Sequence, residues 1–223
     1  KISKINQPAK DEIIFSLKKD KDSYKLLISA SSVYPRIHLT NINKKNPMKP
    51  PMFCMVLRKY LSNSKITSIY QLQLDRVVFI DFQGKDELGF EKTYTLIIEI
   101  MGRHSNISLV EKNNYIILDS IKHITPEINS IRTLLPGLKF ILPPESNKLN
   151  PLNYTYENFE KFILENNIKL NNTFISKVFM GVSNQLSKEI INSLNTELSL
   201  ENLKNIYKEI ELFFNKVHNK DFS

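Results

Sequence analysis

The segment 143–151, PPESNKLNP, constrains this chain more than any other, because the hydrophobic period changes across it. Before it, short runs rich in β-branched and aromatic residues alternate with turn residues. After it, apolar residues recur at helical spacing. Clustered Pro, Asn and Ser between two such regimes mark a domain boundary. The 223 residues therefore read as two domains, 1–148 and 149–223.

In the first domain, strands are expected over 11–17, 24–30, 36–40, 65–72, 75–82, 93–100, 105–110 and 115–119. Residues 20–23 suit a hairpin loop, and Asn113-Asn114 a hairpin turn, since Asn tolerates positive φ. A single helix, 50–61 (PPMFCMVLRKYL), interrupts the series, with Pro51 in its first turn, where the missing N–H costs nothing. Its Met-rich stripe reads as core packing. In the second domain, helices are expected near 154–166, 170–180, 184–194 and 199–217, with N-caps at Thr155, Ser183 and Ser199. The fold class is α+β, an antiparallel β sandwich or barrel followed by an all-helical domain.

Charge follows the same division. Residues 1–148 carry 23 Lys+Arg against 14 Asp+Glu, a net +9, whereas 149–223 carry 8 against 9, a net −1. The basic excess in the first domain is where a polyanionic partner would bind, although a solvated basic surface of a Lys- and Asn-rich chain has the same charge. No run approaches the ~20 apolar residues that span a bilayer, and KISKINQPAK has no signal-peptide core, so a cytoplasmic protein without a membrane partner is expected. The lone Cys54 precludes an intramolecular disulfide and reads as a buried thiol. The four histidines, 38, 104, 123 and 218, have no metal-ligand spacing, and no phosphate-cradling glycine loop or nucleophile elbow occurs. A hydrolase, kinase or metalloenzyme is therefore disfavoured; no cofactor, metal or catalytic residue is expected.

Three places carry polar chemistry. EIMGRHSNI (99–107) ends an apolar strand and then crowds together Gly102, Arg103, His104, Ser105 and Asn106. Arg, His and Asn all hydrogen-bond phosphates or base edges, although a polar turn satisfying its own backbone has the same composition. Asp75-Arg76 begins the expected strand DRVVFI. Arg76 suits a phosphate or a base face, and surface charge at a strand start is the plainer alternative. FISKVFMGVSNQLSKEI (174–190) fits a helix–hairpin–helix, whose Gly181-Val182-Ser183 turn would present N–H groups to a phosphate, or serve structure alone.

Taken in order, RIHLT (36–40), PPMFCMVLRKYL (50–61), LDRVVF (74–79), DELG (86–89), EIMGRHSNI (99–107), LLPG (134–137) and PP (143–144) resemble the NFACT family. It includes bacterial RqcH, often labelled fibronectin-binding protein A, and the NEMF-like proteins. The resemblance covers nearly the whole chain. It implies an N-terminal domain like that of formamidopyrimidine-DNA glycosylases, followed by a helix–hairpin–helix domain. It also implies a factor that binds tRNA (alanyl-tRNA in bacteria) and the stalled large (50S) ribosomal subunit to support untemplated alanine tailing, the ribosome being the catalyst. Asp75-Arg76 matches the family's tRNA-important Asp-Arg pair. Arg103, His104 and Asn106 then become local readers, and Arg36, Arg58 and Lys59 candidate backbone contacts. Asn184 stands where relatives commonly have Pro after Gly-Val-Ser. The older family label implies the alternative of a fibronectin-binding surface adhesin with a surface-associated pool. A glycosylase-like enzyme rests on fold analogy alone.

Overall fold

A computed structural model of the chain describes residues 1–85, 88–143, 147–219 and 221. Asp86 and Glu87 of the DELG string, and Pro144–Ser146 of the Pro/Asn/Ser-rich segment, lie outside the described residues. The chain divides into two compact units, Lys1–Pro143 and Pro144–Ser223.

The first unit is built from two antiparallel meanders. One sheet runs β1 (Ile2–Ala9), β2 (Glu12–Lys19), β3 (Asp22–Ser29) and β4 (Arg36–Leu39); the other runs β5 (Lys65–Gln71), β6 (Val77–Lys85), β7 (Glu91–Glu99), β8 (Asn106–Glu111) and β9 (Ile117–Ser120). Between them in sequence lies helix α1 (Met52–Leu61). Period-two alternation sends Phe15, Ile28, Phe82, Leu96, Ile98 and Leu109 inward, where Cys54, Leu57 and Leu61 of α1 join them in one buried cluster. Phe15 and Phe82 stack across the two sheets at 5.8 Å between ring centroids. Arg58 seats the helix by donating from Nε to the Ile5 carbonyl at 2.9 Å.

The outer face of the second sheet is also covered. Phe79, Ile97, Val110 and Ile117 pack under Leu134 and Phe140 from the irregular segment beyond β9. Burial on both faces explains why Tyr94 through Glu99 of β7 are buried without a break.

Strand β1 is absent from the expected list. Its inward residues Ile2 and Ile5 are three apart, because register shifts fall between Ile2 and Lys4 and again between Asn6 and Ala9. The bulges erase the two-residue period by which a strand is recognised. The first hairpin turn is only Asp20-Lys21, with Asp20 at φ 53°, so Asp22 and Ser23 are strand. At the Asn113-Asn114 turn, Tyr115 takes the positive φ of 58°, while the Asn114 side chain accepts the N–H of Ile116.

The second unit is helical: α2 (Tyr156–Glu165), α3 (Phe174–Val178), α4 (Asn184–Asn192) and α5 (Leu203–His218). Thr155 caps α2 through Asn158 N–H, and Ser183 caps α4 through Leu186 N–H, as expected. Ser199 does not cap α5; its hydroxyl accepts the N–H of Asn202 and closes a turn before that helix. In the segment expected to form a helix–hairpin–helix, α3 and α4 flank Gly181-Val182-Ser183, and the first helix is shorter than expected. The expected 170–180 helix shrinks to five residues, because Asn171 takes the N–H of Thr173 ahead of it. After it, Phe179 turns extended and bridges Leu149. No helix among the described residues is long and apolar enough to cross a membrane.

Leu57 is fully buried between the sheets. Leu57→Ala is expected to cost about 3 kcal/mol, read as a lowered urea midpoint with an unchanged slope.

Candidate nucleic-acid interface

One end of the second sheet collects most of the polar residues singled out in the sequence. Asp75 and Arg76 do not begin β6; they lie in the loop that precedes it. That loop is tight: Gln73 has φ 47°, Asp75 N–H donates to Leu72 O, and the Asp75 carboxylate accepts the N–H of Arg76 at 2.7 Å. Asp75 therefore fixes its neighbour's backbone, and Arg76 is left exposed. The Arg76 carbonyl accepts the N–H of Ile100 at 2.8 Å, which ties this loop to the end of β7.

Two residues beyond Ile100 the chain makes a 3-10 turn, Gly102–His104. Gly102 has φ +56°, a conformation that disfavours side chains, so here the glycine is required. Ser105 is buried and accepts the N–H of Met101 at 2.8 Å, which closes the turn. Arg103 and His104 project outward, and Arg103 Nε donates to His104 Nε2 at 3.0 Å. Asn106 faces the other way. It is buried, its carbonyl accepts the N–H groups of Ile107 and Lys122, and its amide donates to Lys122 O. Asn106, expected as a reader of an external ligand, is thus turned inward in this structure, where its side chain holds the strand end that carries Arg103 and His104.

A third segment meets these two. The Lys122 ammonium donates to Ser105 O and to Ala30 O, the first residue after β3. A Cβ placed on Gly102 would come 3.7 Å from Ser32 O in the β3–β4 loop. The loop is stiffened by Ser31, whose hydroxyl accepts the N–H groups of Val33 and Tyr34, and by Arg36, which donates to Tyr34 O. Burial pushes the Lys122 ammonium below its ordinary range, with nearby Asp11 opposing.

The other expected contacts are placed elsewhere or are committed. Arg36 also reaches the buried Glu12 carboxylate at 3.3 Å, which Lys44 shares. Arg58, expected as a phosphate contact, binds Ile5 O and Asn6 of β1 in this structure and braces that strand. Lys59 is exposed on α1, with its ammonium 5.3 Å from the Tyr60 ring. Gly181, Val182 and Ser183 belong to the second unit, and the Ser183 hydroxyl is occupied as the cap of α4. Among the described residues no three His, Cys, Asp or Glu side chains group as a metal ion would require.

Sequence reasoning missed a pair beneath the Arg76 loop. Glu99 is fully enclosed and lies 2.8 Å from Arg132 Nη1, which is 13% exposed. The two form a buried ion pair, in which Arg132 offsets part of the cost of enclosing the carboxylate. Burial pushes the Glu99 carboxyl above its ordinary range, Arg132 opposes this, and Asp75 adds to it. Arg132 also donates to Ile141 O and lies over the Phe140 ring, so it clamps the covering segment to the loop-bearing end of the sheet. No short motif marks such a long-range pair in a sequence.

The family description "NFACT N-terminal and middle domains" matches residues 1–223. The chain belongs to the NFACT family. Its relatives include the Rqc2 homolog RqcH of Streptococcus suis, 41% identical over 92% of this chain and 36% of that protein. The Bacillus subtilis RqcH is 38% identical over 86% of the chain and 33% of its own length. Human NEMF, a ribosome quality control complex subunit, is 38% identical over 44% of the chain and 8% of its own length. The chain thus spans about a third of the length of its bacterial relatives. The crystal structure of the N-terminal domain of fibronectin-binding protein PavA from Streptococcus pneumoniae superposes with TM-score 0.77 at 38% identity, covering 98% of this chain and 77% of that one. The fibrinogen binding protein of Staphylococcus aureus gives 0.81 at 31%, covering 97% and 74%. NFACT membership places the chain in a ribosome quality control family, on the two-sheet α+β fold described above.

Arg132→Met leaves Glu99 buried without its counter-charge and is expected to cost about 3–5 kcal/mol at pH 7. The sign with pH comes from the raised carboxyl. Below the ordinary value of 4.5 the residue is protonated both folded and unfolded, and the penalty vanishes; it grows as pH rises through the folded-state value. Urea melts of variant and parent at pH 7 and pH 4.5 should show the deficit shrinking at the lower pH. Equal deficits would mean that Glu99 is not its source.

Proposed function

We propose that this chain is the tRNA- and ribosome-binding portion of a ribosome-associated quality control factor. The observation that carries the reading is the convergence of the Arg76 loop and the Arg103-His104 turn at one end of the second sheet, on a domain whose sequence is strongly basic. The net positive charge attracts the phosphate backbone without regard to sequence, and the exposed guanidiniums and imidazole make the local contacts. Asp75 acts through Arg76 by fixing its backbone N–H.

On this reading the factor works in the cytoplasm on a large ribosomal subunit that still holds an obstructed nascent chain. It positions alanyl-tRNA so that the ribosome adds untemplated alanines. The chain supplies binding and orientation, and the peptidyl-transfer chemistry belongs to the ribosome. A second reading, a fibronectin-binding surface protein, is supported by the name of the pneumococcal PavA structure. Association with ribosomes in fractionated cells favours the first reading, and a surface pool without ribosomes the second.

The test is tRNA binding by this chain across a salt series, beside Asp75→Ala/Arg76→Ala. The loop is exposed at Arg76, so the double variant should keep the parent's circular dichroism and melting. Its affinity for alanyl-tRNA should fall roughly ten- to hundredfold. Unchanged affinity in the folded variant would remove the tRNA site from this loop.

A further inference from the structure

The β3–β4 loop carries two large apolar side chains where solvation disfavours them. Tyr34 is 73% exposed and Val33 69% exposed. Neither belongs to a buried cluster, yet the loop that bears them is held firmly. Ser31 accepts two of its N–H groups, and Arg36 donates to the Tyr34 carbonyl. A rigid loop holding an aromatic ring in water is a presented ring, since an aromatic with no role in the fold gains nothing from being fixed there. The loop adjoins residues that bear positive charge. Lys122 binds the start of this loop and Ser105 together, Gly102 lies against Ser32, and Arg103 is the next residue. Arg76 joins the same sheet end through Ile100.

We propose that Tyr34 is a stacking platform for one unpaired base of an RNA strand whose flanking phosphates meet Arg103 and Arg76. A flat ring in a loop that adjoins a guanidinium-bearing turn matches a nucleotide in both its parts, base face and phosphate, and it matches a single-stranded or loop nucleotide because a base within a duplex has no free face. The proposal rests on the tRNA reading above and names the part of the RNA that this end of the sheet takes: an unstacked loop or terminal nucleotide rather than helical backbone.

The chain contains no tryptophan, so Tyr34→Trp introduces a single indole reporter at this position. Its emission should be quenched by deacylated tRNA and by a short single-stranded RNA, and should be unchanged by a blunt RNA duplex at equal phosphate concentration. Tyr34→Ala should bind tRNA about tenfold more weakly, Tyr34→Phe should bind as the parent does, and the salt slope should be the same in all three. Arg103→Ala, by contrast, should flatten that slope by about one.

Several results would overturn the stacking role. These are tRNA binding by Tyr34→Ala equal to the parent's, quenching by the duplex as strong as by single strands, or weakening in Tyr34→Phe equal to that in Tyr34→Ala. Loss of fibronectin binding in Tyr34→Ala with tRNA binding intact would overturn it as well, and would assign the ring to a protein partner. If the parent chain binds no RNA, the tRNA reading fails first and this proposal with it; if the parent binds and only the Tyr34 variants are indifferent, the tRNA reading survives alone.

Discussion

The candidate interface depends on the Lys122 ammonium. A partly buried cation is costly, and its desolvation is answered by two backbone carbonyls, Ala30 O just after β3 of one sheet and Ser105 O just before β8 of the other. That requirement fastens the exit of β3 to the entry of β8. Without it, the loop carrying Tyr34 and the turn carrying Arg103 would be separate surface features. The Lys122 backbone is committed as well, both its N–H and its carbonyl being bound by Asn106. The side chain that joins the sheets is thus anchored at its root.

Below this junction the same end of the second sheet is held from its outer face. Glu99 ends β7 directly under the Arg76 loop, and Arg132 reaches it from the segment covering that face. Val77 pairs with Glu99 in register, so the position of Arg76 is set by the same ladder that carries the buried carboxylate. Exposed cations gain little from fixed geometry in water, where a surface ion pair contributes about 0–1 kcal/mol. Fixing them on a rigid frame matters for a ligand of definite shape, because less ordering is then left to be done on binding.

Much of this fold was legible from the sequence, and the misses share a cause. Short β-branched and aromatic runs between turn residues reveal β2 to β9, whether one face is buried or, as in β7, both; β1, whose bulges put Ile2 and Ile5 three apart, escapes that pattern. Apolar spacing places helix α1 within two residues of its start, whereas it overextends α3, because Asn171 and the bridge from Phe179 to Leu149 compete with helix in ways that spacing does not reveal. Residue types told which strings were chemically unusual. They did not tell which side of the backbone each member would take, since that depends on register and on the turn between strands.

The GRHSNI string makes the distinction concrete. It is contiguous in sequence, and read as a motif it offers Arg103, His104 and Asn106 as equals. Folded, it splits at Ser105: the 3-10 turn before it throws Arg103 and His104 outward, and the strand after it turns Asn106 inward to bind Lys122. A polar residue in such a string serves either the ligand or the frame, and burial with a completed set of hydrogen bonds decides which. By the same criterion Arg58 joins the frame, through Ile5 O, while Arg76 and Arg103 remain for the ligand. Tyr34, outside every singled-out string, meets the criterion for a ligand-facing group as well as they do: it is exposed, held by its backbone, and without a partner for its ring among the described residues.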